Sequence, residues 1–143
     1  MRKLLWSVAV LTTIGAILVT WYRAEAAPPE FPGDLRAFMQ LKLKSSQQVL
    51  EGIVMEDFDR VVKHGQQLSL LSQDTTWQVL QTPEYLQHSI EFRRAADALT
   101  EAARKKNVDG AALAYMDVTL KCVNCHKYVR STRMAAKEET KGR

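Results

Sequence analysis

From Asp34 onward the apolar residues of this chain recur every three or four positions, and no strand-length run alternates polar with apolar. That period belongs to the α-helix and argues against a half-buried sheet. Leu35, Phe38, Met39, Leu43, Val49, Leu50 and Ile53 form the first stripe. With Asp34 as N-cap and Gly52 as a stop, they predict a helix over 35–51. Phe58, Val61, Val62, Leu68 and Leu71, capped by Asp57 and weakened slightly by Gly65, predict a second over 58–72. Thr82, Pro83 and Glu84 supply a cap, a first-turn proline and a first-turn acid. They open a third helix over 83–106, which Asn107 can end in a left-handed conformation. Asp109 caps a fourth over 110–133, whose Leu113, Tyr115, Met116, Val118 and Leu120 lead into a cysteine cluster. The stretch SQDTTWQVLQ, 72–81, reads as a connection whose Trp77 plugs the core between helices. Four helices with short connections describe an all-α, antiparallel four-helix bundle. No internal repeat of about 20–50 residues competes with that reading.

The chain has 143 residues, the size of one domain, and 46% hydrophobic with 25% charged residues places it among globular proteins. A net charge of +4, with no aromatic–basic interleaving and no Gly-rich phosphate loop, gives nucleic-acid or nucleotide binding no support. Nor does a Ser-His-Asp order or a carboxylate pair point to an enzyme.

Arg2 and Lys3 precede an apolar run from Leu4 to Val19, and Ala24-Glu25-Ala26 forms an A-x-A site. Residues 1–26 therefore read as a secretory signal peptide, and 27–33, with Pro28, Pro29 and Pro32, as a linker. The competing reading is an uncleaved membrane anchor over 4–22, with Trp21 and Tyr22 at the interface. Either one places a domain of residues 34–133, followed by a charged frayed tail at 134–143, in the periplasm. Cleavage removes three positive charges and one negative, lowering the net charge from +4 to +2.

The chemistry sits in KCVNCHKYVR, residues 121–130, which holds both cysteines, Cys122 and Cys125, and then His126. A thioredoxin-like pair needs a strand-to-helix junction and draws on a helix N-terminus to lower its thiol pKa. These cysteines fall well inside a predicted helix. Structural zinc needs four ligands, and only one cysteine pair exists. C-x-x-C-H is also the attachment motif of a c-type haem. On a helix Cys122 and Cys125 are three apart and Cys122 and His126 four apart, so all three lie along one face. The expected cofactor is thus one covalent haem c, with His126 as the proximal iron ligand.

A four-helix bundle with C-x-x-C-H on its last helix resembles the cytochrome c′ group, the class II c-type cytochromes, over about residues 34–133. The family often has an aromatic and then a basic residue after the motif, matched here by Tyr128 and Arg130. The resemblance implies that a residue of the first helix covers the other face of the iron. Met39 falls about where methionine-ligated, electron-carrying members have their ligand. An apolar residue there would instead imply a five-coordinate protein that binds nitric oxide or carbon monoxide. Arg130 and Arg36 are placed to meet haem propionates. His88, His64, Met55 and Met116 are weaker distal candidates. The expected partners are redox proteins, with Lys121, Lys127, Arg130 and Arg133 as a docking patch. Homodimers, common in the family, are a further expectation.

Overall fold

A computed structural model of the chain describes residues 34–74 and 77–141, with side chains as far as residue 135. The signal-peptide, anchor and linker readings lie outside the described residues. Four helices follow in order: α1 (Leu35–Val54), α2 (Phe58–Leu71), α3 (Pro83–Arg104) and α4 (Val108–Lys141). Among the described residues there is no strand, and no helix is long and apolar enough to cross a membrane.

Three of the expected caps form. Asp34 accepts from the Arg36 N–H, Asp57 from the Arg60 N–H and Thr82 from the Tyr85 N–H. Each satisfies a first-turn donor that the helix itself cannot.

The C-terminal ends differ from expectation. Gly52 does not stop α1; it is buried inside the helix, where a Cβ would meet Val61 Cγ2 at 2.9 Å. Its smallness lets α1 approach α2, and the chain turns instead at Glu56, with φ 52°. Gly65 plays the same part between α2 and α3, since a Cβ there would meet Thr100 Oγ1 at 2.6 Å. Lys106, with φ 54°, takes the left-handed position after α3. Asn107 caps α4 through its side-chain oxygen, which accepts from Gly110 N–H, in place of Asp109. α4 also continues to Lys141, past the expected end at 133.

Helices adjacent in sequence pack closely, whereas α4 meets α1 only sparsely. The core therefore divides in two. One part holds Val49, Val61, Leu68, Phe92, Leu99 and Val118. The other holds Phe38, Leu71, Trp77, Tyr85 and Cys125. Trp77 plugs the bundle as expected: it is buried, and its indole N–H donates to Ser89 Oγ at 2.7 Å. The Tyr85 hydroxyl donates to the Trp77 carbonyl.

The stripe of α1 is rotated from its sequence reading. Phe38, Lys42, Ser45, Val49 and Gly52 are buried, whereas Leu43 and Leu50 are about half exposed. Spacings of four, three, four and three put the buried five on one face. A lysine thus occupies a core position between Phe38 and Ser45.

Candidate cofactor site

The sparse α1–α4 contact leaves a slot. It opens into a cavity of about 290 Å³ walled by Met39, Lys42 and Leu43 of α1 and by Cys122, Cys125 and His126 of α4. Leu68, Trp77 and Phe92 also line it, all three from the core. A second cavity of about 220 Å³ shares Met39, Trp77, Cys125 and His126 with the first and reaches Arg130 and Arg133. Together the two reach the size of small-molecule and cofactor pockets, about 300–1,000 Å³. A hydrogen bond between Ser46 and Tyr115, at 3.1 Å, joins α1 to α4. Leu43 is exposed because it faces this slot and not a neighbouring helix.

α4 delivers the three motif residues at different depths. Cys125 is 4% exposed and packs in the Phe38–Trp77–Tyr85 cluster, while Cys122 is half-buried against the other cluster. His126, one residue past Cys125, is exposed at the cavity edge. Burial pushes both thiols above their ordinary pKa and so favours their neutral form. Among the described residues, no group of three or more His, Cys, Asp and Glu side chains could hold a metal ion.

The other expected site residues divide. Met39 lines both cavities and Arg130 the smaller one. Arg36 is exposed and lines neither. His88 meets Tyr128 in a tilted ring contact with centroids 5.4 Å apart, and the Tyr128 hydroxyl in turn shares a hydrogen bond with Thr82 at 2.6 Å. His64 pairs with Gln67 on α2. Met55 and Met116 are exposed. None of these four lines either cavity. Lys121 is held by Glu91 at 3.4 Å and Asp117 at 3.8 Å, so the expected basic patch reduces to Lys127, Arg130 and Arg133, all exposed.

Sequence reasoning missed Lys42. It is 6% exposed, and among the described residues its Nζ is the buried side-chain nitrogen or oxygen without a hydrogen-bond partner. The nitrogen sits 3.5 Å from the Trp77 ring centroid and 3.7 Å from that of Phe92. Two ring faces attract a cation but do not replace its lost hydration. Desolvation accordingly lowers its pKa from 10.5 to about 7; the cysteines oppose the shift and Arg93 adds to it. The signal was present: Lys42 follows Phe38 by four residues and precedes Val49 by seven.

A pH dependence follows for the chain alone under reducing conditions. Between about pH 7 and 10.5 the unfolded chain holds a proton on Lys42 that the folded chain lacks. Stability therefore rises with pH in that window, by about 1.4 kcal/mol per unit. The thiols act oppositely above their ordinary 9.0, because the folded chain keeps protons that the unfolded chain releases. The expected gain lies between about pH 7 and 9, totals about 3 kcal/mol, and is absent in Lys42→Met. Urea unfolding across this range measures it; a flat wild-type profile would show that the amine reaches water.

The donor set suits a haem. Two thiols and an imidazole line one wall of an apolar slot, and a thioether and an orphaned amine line the facing wall. Compared with known proteins, the chain matches no protein-family model, no curated protein and no solved structure.

Proposed function

We propose that this chain is a monohaem c-type cytochrome of the cytochrome c′ kind, exported to the periplasm, that carries electrons between redox proteins. One observation carries the reading: the apolar slot between α1 and α4 brings Cys122, Cys125 and His126 onto one wall. Bound there, the haem iron would supply reversible one-electron chemistry.

The chain's own residues have defined parts. Cys122 and Cys125 would bond the two vinyl groups through sulfur. His126 would ligate the iron from the α4 side through an imidazole nitrogen. Arg130 and Arg133, which line the smaller cavity, would meet the carboxylates. Phe38, Trp77, Phe92 and Leu68 would exclude water from the inner edge, and a dry, close-packed wall limits the rearrangement that accompanies a change of charge. Lys127 and Arg130, exposed beside the motif, offer positive charge to an acidic partner.

The test is a mass measurement and a redox titration of the exported protein. A chain that keeps the mass of one haem after denaturation, and cycles reversibly between ferric and ferrous states, is expected. The same mass shows whether residues 1–26 are removed. Absence of covalent haem would overturn the reading. A five-coordinate ferrous protein that binds carbon monoxide at once would replace electron transfer with gas binding.

A further inference from the structure

The unpartnered amine of Lys42 asks for a partner that the protein itself does not supply. A methionine in an apolar cluster costs nothing and calls for no ligand. A buried lysine nitrogen set over the rings of Trp77 and Phe92 is different, because its burial is unfavourable until something binds it. Met39 is part-buried and packs against the Phe38–Trp77 cluster, so its place in the fold is already accounted for.

Resting on the haem reading above, we propose that Lys42, and not Met39, supplies the α1 ligand to the haem iron, giving histidine–lysine coordination.

Three observations carry this. Lys42 lines the same cavity as Cys122, Cys125 and His126, from the facing helix. Its nitrogen is the orphaned polar atom of that cavity, and no carboxylate lines the cavity to neutralise it. It also lies within electrostatic reach of both cysteines. Haem vinyls and propionates occupy opposite edges of the ring, so a group within electrostatic reach of the cysteines that would hold the vinyls lies away from the propionates. Arg130 and Arg133, beyond Cys125 and His126, are the cations placed for those carboxylates. The iron is then the remaining acceptor for the Lys42 nitrogen. Ligation needs the neutral amine, and burial already favours that form.

Holoprotein whose covalent haem has first been established by mass distinguishes the outcomes. The wild-type ferric protein is expected to be low-spin and to lack the far-red charge-transfer band of sulfur on iron. Lys42→Ala should lose the low-spin signature, and Met39→Ala should keep it. Lys42→Gln serves if the alanine variant does not fold. A measurement on the unaltered protein stands beside these: in the ferrous state, ring current should shift lysine methylene protons far upfield. A shifted methionine methyl signal, a sulfur band lost in Met39→Ala, or a high-spin wild type would each overturn Lys42 ligation while leaving covalent haem in place. Absence of haem from the denatured chain would instead remove the cytochrome reading itself.

Discussion

On the cytochrome reading proposed above, replacing both thiols, as Cys122→Ser with Cys125→Ser, is expected to reduce covalently held haem from one per chain to none. A thiol adds across a vinyl double bond, its sulfur taking one carbon and its proton the other; a serine hydroxyl does not. Each single variant keeps one sulfur in the slot and should retain one thioether. The helices should survive the double change. Cys122 is half-buried, and the cost of a hydroxyl at Cys125, 4% exposed, is about 1–3 kcal/mol. Against a typical domain stability of about 5–15 kcal/mol that leaves a folded chain. Haem staining after denaturing electrophoresis measures attachment, and far-ultraviolet circular dichroism measures the fold. Covalent haem in the double variant would sink the assignment of these two side chains.

What the sequence makes legible is what local chemistry determines. Asp34, Asp57 and Thr82 cap helices because their side chains reach backbone N–H groups two or three residues on, without help from the rest of the fold. The starts of α1, α2 and α3 are therefore read correctly, and so is the burial of Trp77. Helix ends depend on tertiary contact. Gly52 carries the ordinary mark of a stop, yet the helix continues because α2 approaches so closely that only glycine fits. Both left-handed positions fall on charged residues, Glu56 and Lys106, which a reading based on glycine and asparagine passes over. The site divides in the same way. The cysteine–histidine spacing is visible in ten residues, whereas the slot arises from the sparse α1–α4 contact, which helical periodicity does not reveal. Lys42 is hidden because a stripe is found by looking for apolar residues, and a lysine is counted as solvent-facing by type. In the fold its nitrogen lies over the rings of Trp77 in the connection and Phe92 on α3, contacts that helical periodicity does not show.

Trp77→Ala is expected to remove about 3–5 kcal/mol of stability, a large share of the about 5–15 kcal/mol that a typical domain has. Trp77 is 5% exposed, and its ring lies 6.4 Å from Phe38, 6.2 Å from Tyr85 and 5.8 Å from Phe92, centroid to centroid. It therefore ties a residue of α1 to two of α3 from the connecting segment. Truncation would open a void between the two cavities it lines and take away one of the ring faces beneath Lys42. Trp77→Phe separates packing from hydrogen bonding. It keeps a ring in place and loses the indole donor, but Ser89 Oγ still donates to the Tyr85 carbonyl at 3.0 Å and is not orphaned. Its cost should be about 1–2 kcal/mol. Urea unfolding of the full chain gives both numbers. Equal losses in the two variants would mean that the Ser89 hydrogen bond, and not the ring, holds the connection. A loss below about 1 kcal/mol for Trp77→Ala would mean that the slot keeps its shape without its central wall.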